Sequence, residues 1–321
     1  MSIRLLVPLD GSDKDPRALQ VADAFARLLD GDLRLIRLLE APATKVSAGL
    51  AILGAVPEPA PAAHADIDRQ LRESAAKLSG SGYKVTTDVA AATDVSSELL
   101  RRAELDADIV IMATRGPGTV ARAFLGSVAD IVVRKSSRPV VIVPPGARYG
   151  VGNRIELKRV LVPLDGSRMS MAAIDRFLEH APTGKFEYVL MQAVRQEGTG
   201  GHVMPEPVRG SKDRGLSSEG NTVLHVQAEQ AETHLHELAS RCSARGDIVA
   251  VRVVESTDPA GAILAAVRGE LVDLIVMSTH GEGGLRRALH GSVANRVARE
   301  SEVPVFLVTP ESAGSSRRPG E

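Results

Sequence analysis

The stretch RLLVPLDGS, Arg4 to Ser12, returns later in the chain as RVLVPLDGS, Arg159 to Ser167. A second block, DADIVIMATRGPGTVARAFLGSVAD (Asp106 to Asp130), returns as LVDLIVMSTHGEGGLRRALHGSVAN (Leu271 to Asn295). A third, RPVVIVPP (Arg138 to Pro145), returns as VPVFLVTP (Val303 to Pro310). Three matched blocks in one order are a domain duplication, because the period is far too long for a small-repeat solenoid. Each unit of the 321-residue chain is long enough to bury a core of its own. The first unit spans residues 1–145 and the second 157–310, with a linker at 146–156 where Pro and Gly break the apolar pattern. The extra length of the second unit falls mainly in the polar, Gly-rich stretch 198–221. The polar tail 311–321 is expected to be disordered.

Within the first unit, short apolar runs alternate with helical patterns. Strands are expected at 3–9, 33–39, 84–89, 108–112 and 140–143, and helices at 15–28, 67–78, 95–105 and 127–135. The second unit repeats this, with strands near 159–164, 188–194, 248–254, 274–277 and 305–308. Nearly continuous Val, Leu and Ile strands, each followed by a helix, point to an α/β fold: a parallel sheet covered on both faces. Right-handed crossovers make it an open, doubly wound sheet of five strands per unit, whose ligands gather beyond the carboxyl ends of the strands.

Composition narrows the function. Aromatic residues are 2% of the chain and Trp is absent, so the core is aliphatic and base stacking on aromatics is a poor binding mode. The net charge of -1 offers no broad attraction for nucleic acid or an anionic membrane. The lone Cys242 excludes an internal disulfide and reads as a structural thiol. No apolar run is long enough to span a bilayer, and the expected location is the cytoplasm.

Two turns carry the chemistry. Pro8-Leu9-Asp10-Gly11-Ser12 and its copy Pro163-Leu164-Asp165-Gly166-Ser167 end the first strand of each unit. Asp10 and Asp165 either cap the following turn or accept hydrogen bonds from a ribose or a hydrated cation. In the second turn, Met112-Ala113-Thr114-Arg115-Gly116 ends a strand, and Gly126-Ser127-Val128 opens a helix. Its copy is Met277-Ser278-Thr279-His280-Gly281 with Gly291-Ser292-Val293. The helix N-terminus would aim N–H groups at a phosphate, and Gly126 or Gly291 would let it approach the backbone. The alternative is that Ser127 and Ser292 are only N-caps. Arg115 and His280 hold matching positions, the first permanently charged and the second usually neutral. Neither GxxxxGK[ST] nor GxGxxG is present, so a grip of this kind rests on backbone donors and hydroxyls.

These turns closely resemble those of the universal stress protein family in its tandem form, over nearly the whole chain. ATP-binding members of that family carry Gly, two residues, Gly, nine residues, then Gly followed by Ser or Thr. The pattern falls on Ala113, Gly116, Gly126 and Ser127 in the first copy, and on Ser278, Gly281, Gly291 and Ser292 in the second. Both copies depart at the first glycine. The resemblance places the family's acidic residue at Asp10 and Asp165, and its adenine contact at Leu38 and Ala193. It implies an adenine nucleotide alpha hydrolase-like (Rossmann-like) sheet of order 3-2-1-4-5 in each unit. It further implies an internal pseudo-dimer, pairing of two chains, and binding of ATP with Mg²⁺ as a possible companion. The expected role is stress adaptation through nucleotide-dependent conformation or a regulated protein partner. The alternatives are a slow ATPase and a nucleotide-free structural or adaptor protein.

Overall fold

The computed structural model describes residues 2–12, 15–41, 61–78, 82–114, 125–147, 154–194, 218–279 and 291–314. In the first half the order is β1 (Ile3–Pro8), α1 (Asp15–Leu29), β2 (Gly31–Glu40), α2 (Pro61–Leu78), β3 (Val85–Ala92), α3 (Val95–Asp106), β4 (Ile109–Ala113), α4 (Ser127–Lys135) and β5 (Val140–Val143). The second half follows with β6 (Arg159–Leu164), α5 (Arg168–Leu178), β7 (Glu187–Val194), α6 (Ser218–Ser243), β8 (Ile248–Glu255), α7 (Pro259–Gly269), β9 (Leu274–Ser278), α8 (Ser292–Glu300) and β10 (Val305–Val308). A short helix, α9 (Pro310–Gly314), comes last.

The sheet runs β3-β2-β1-β4-β5-β10-β9-β6-β7-β8. Each half therefore has the expected order 3-2-1-4-5, parallel throughout. The halves meet where β10 pairs antiparallel with β5, through Val305 with Ile142, Phe306 with Val141 and Leu307 with Val140. Thr309 adds a side-chain bond across the seam, its hydroxyl donating to the Ser136 carbonyl at 2.9 Å.

Alternation along the strands builds two core layers. Leu5, Val7, Ile109, Ile111, Val141 and Phe306 face one side, with α1 and α5 packed over them. Leu6, Val110, Ile142, Val305 and Leu307 face the other, under α3, α4, α7 and α8. Both layers run unbroken across the seam. On the seam strand β10, Phe306 meets the Phe177 ring edge-on at 5.4 Å between centroids, and Phe177 meets Phe186 in the same way at 5.4 Å. Cys242 is fully buried, and burial pushes its thiol up to about 11, with the charge of Asp247 adding to the shift.

Two expectations at the margins change. Residues 311–314, assigned above to a disordered tail, belong to α9, where Ser312 is buried and bonded to Thr309 and to the buried Arg176. Ile155, assigned to the linker, is buried in the first core layer. In both cases tertiary contacts outweigh a polar or turn-rich local sequence. Of the stretch 198–221, only Ser218 onward lies among the described residues, as the start of α6.

Phe306 is fully buried at the seam, so Phe306→Ala is expected to cost about 3–5 kcal/mol through lost burial and the cavity it leaves. Leu105→Ala, at an exposed position of α3, should stay within about 0.5 kcal/mol. Urea unfolding of the two variants checks the contrast.

Candidate functional site

At the carboxyl ends of β1, β2 and β4, the first half opens into a cleft of about 250 Å³. Pro8 and Asp10 reach it from β1, Leu38 from β2, and Met112 and Ala113 from β4. Gly126, Ser127 and Val128 reach it from the start of α4. Arg115 and Gly116, the other candidates of this half, lie outside the described residues.

Part of the lining is apolar: Leu38, Leu99, Met112, Leu125 and Val128, all continuous with the second core layer. The rest is polar and gathers on two features, the turn after β1 and the start of α4. Gly126 has φ 109° and is the N-cap, with no side-chain cap bond, and Ser127 is the first helical residue. The reading of Ser127 as an N-cap is therefore overturned, and likewise for Ser292, which follows the cap Gly291. A glycine cap offers no side chain to the first-turn N–H groups, which leaves them to water or a ligand. Both serine side chains are exposed.

The turn after β1 is held by its own carboxylates. The Ser12 N–H donates to Asp10 Oδ1 at 2.9 Å. The N–H groups of Asp10 and Gly11 donate to the two carboxylate oxygens of Asp15, at 3.2 and 2.7 Å. Burial raises the Asp15 carboxyl above its ordinary range; those two N–H bonds oppose the shift, Asp10 adds to it and Arg37 opposes it. Gly11 has φ 75°, and a Cβ there would run into the Arg37 guanidinium. The Arg37 guanidinium thus lies over the turn.

In the second half, Pro163 and Asp165 stand at the end of β6, Ala193 near the end of β7, and Met277 and Ser278 at the end of β9. Gly291, Ser292 and Val293 open α8, while His280 and Gly281 lie outside the described residues. The turn keeps its backbone: Gly166 has φ 81° and the Ser167 N–H donates to Asp165 Oδ1 at 3.0 Å. The side chains differ. Ser170 replaces Asp15, its hydroxyl 3.5 Å from the Asp165 N–H nitrogen. Gln192 replaces Arg37, its Nε2 3.9 Å from where a Gly166 Cβ would be. Gly291 has φ −55°, open to any residue, but a Cβ there would meet the Thr279 carbonyl oxygen at 3.1 Å.

The motif reading did not include Asp15, Arg37, Val95 or Leu99, all of which line the first cleft. For Arg37 the signal was a cation interrupting the apolar run LRLIRLL. For Val95 and Leu99 it was their i, i+4 spacing on one helix face.

The sequence profile of the Universal stress protein family matches residues 1–144 and 156–309. A universal stress protein of Mycolicibacterium smegmatis is 26% identical over 317 residues, which are 95% of this chain and 97% of that protein. One from Mycobacterium tuberculosis is 28% identical over 202 residues, 63% of this chain and 62% of that protein. The crystal structure of a universal stress protein from Archaeoglobus fulgidus shares the fold, with a TM-score of 0.63 at 20% identity, covering 95% of this chain and 96% of that one.

The wall that α3 gives the cleft is tied to the sheet by charge. Glu98 accepts from Arg101 and Arg102, and Arg102 also reaches Asp88 on β3, which Arg34 of β2 holds at 2.7 Å. Burial pushes Asp88 up, but the bonds from Arg34 and Arg102 outweigh it and leave the carboxyl below its ordinary value. The Arg101 bond, against the opposing effect of burial and with help from Arg102, lowers Glu98 from 4.5 to about 2. A carboxylate depressed by folding adds stability above its unfolded pKa and loses it as pH falls toward the folded one. Glu98→Gln should therefore cost about 1 kcal/mol at pH 7, given the solvent-exposed Arg101. In urea titrations that gap should close between the unfolded and folded values, from pH 4.5 down to about 2.

Proposed function

Because the chain belongs to the universal stress protein family, we propose that it binds an adenine nucleotide, ATP, in the cleft of its first half. The observation that carries this reading is the two-part lining of that cleft. An apolar wall from Leu38 to Val128 suits a flat base, while the Asp10 turn and the N-terminus of α4 suit a ribose and a phosphate. The cleft volume lies near the lower end for small-molecule sites, which suits the nucleoside with its phosphates extending past Ser127.

In this reading Asp10 orients the ribose, Gly126 admits the phosphate without a Cβ in the way, and Ser127 with the Val128 N–H binds its oxygens. Asp165, Gly291, Ser292 and Val293 offer the same parts in the second half. Mg²⁺ would arrive with the phosphates, since that ion is commonly held by one or two carboxylates plus substrate phosphates. The Asp10 and Asp15 carboxylates that face the cleft fit that donor chemistry. Occupancy would set a conformation or a contact with a protein partner, in the cytoplasm, during stress adaptation.

Equilibrium dialysis with labelled ATP, on full-length protein freed of carried-over nucleotide, tests the reading. Saturable binding is expected, weakened about fivefold by Ser127→Ala through loss of one hydroxyl contact. No association at millimolar ATP contradicts it.

A further inference from the structure

Arg37 stands apart from its neighbours. Arg34 on the same strand is held by Asp88 and Asp106, at 2.7 and 2.8 Å. The Arg37 guanidinium, half-buried over Gly11 and lining the cleft, makes no hydrogen bond or ion pair with any described residue. Its charge is felt by Asp15, whose carboxyl it lowers against the effect of burial. A guanidinium is a rigid fork of five donors with no acceptor, so a half-buried one held in a cleft is satisfied by an acceptor arriving from outside.

The sheet order says which end of a ligand it meets. β1 lies between β2 and β4, so the ends of β2 and β4 are about 10 Å apart, two strand spacings. The phosphate-binding start of α4 follows β4, whereas Arg37 comes from β2 beside Leu38, the apolar wall of the cleft, and its guanidinium lies over Gly11 in the turn after β1, between the two. The second half keeps the turn but presents the neutral Gln192 at the matching position.

We infer that Arg37 is a ligand-contacting residue that donates to acceptor atoms of the nucleoside end, ribose oxygens or ring nitrogens, and makes the first cleft the stronger of the two. The inference rests on the nucleotide reading above.

Isothermal titration of the full chain with ATP and with adenosine tests it. Arg37→Gln is expected to weaken both ligands by the same factor, about tenfold, the loss of one charge-assisted bond. Arg37→Lys should recover part of that loss, because it keeps the charge without the fork. Unchanged affinity of Arg37→Gln for both ligands overturns the inference and leaves the nucleotide reading standing. So does a loss confined to ATP, which would place the guanidinium on a phosphate. A drop in melting temperature that tracks the loss of binding assigns Arg37 to holding the turn, and also overturns it. Wild-type protein that binds neither ligand overturns both readings together.

Discussion

The antiparallel pairing of β10 with β5 is the constraint on which the rest of the molecule depends. Each half is a parallel sheet whose fifth strand would otherwise expose a row of unpaired N–H and C=O groups along a four-residue edge of Val and Ile or Val, Phe and Leu. Pairing those two edges satisfies both rows at once and leaves the strand residues 0–1% exposed. Because the join is antiparallel while each half is parallel, the carboxyl ends of the two half-sheets point in opposite directions. The two candidate sites therefore lie at opposite edges of one sheet, and the core layers between them are continuous.

Duplication kept the turn and changed what surrounds it. Gly11 and Gly166 share a positive φ, and Asp10 and Asp165 make the same bond to the N–H two residues on. Around that shared turn a carboxylate and a guanidinium, Asp15 and Arg37, stand where the second half has a hydroxyl and an amide, Ser170 and Gln192. The formal charge of the pair is the same in both halves. What differs is the strength of the donors and acceptors: Asp15 holds two backbone N–H groups with one charged group, and Arg37 presents a charged fork to the cleft. Two sites of one architecture thereby acquire different chemistry.

The fold was largely legible because buried parallel strands read as unbroken apolar runs, and most predicted strands match the observed ones within a few residues. The order of strands followed from family resemblance and the repeat. The candidate site was legible where it is local in sequence: Pro8 to Asp10, Met112 and Ala113, and Gly126 to Val128 all line the cleft. It was not legible where it depends on one element lying over another. Arg37 belongs to the site only because the end of β2 passes over the turn after β1. The alternative weighed for Ser127 and Ser292, that they serve only as N-caps, fell because each follows a glycine cap and is the first helical residue. Helix α9 was missed because its order comes from Ser312 meeting Thr309 and Arg176, contacts that no local pattern announces.

The central claim is that two duplicated sites are unequal and that the first, with its charged turn, is the stronger nucleotide holder. A crystal structure of the full chain grown with ATP tests this most directly. The account predicts density in the first cleft, with the base against Leu38 and Leu99, the Arg37 guanidinium within hydrogen-bond distance of the nucleoside, and the phosphates at Ser127. Nucleotide in the second cleft alone, or a first cleft closed and empty at saturating ATP, would contradict it.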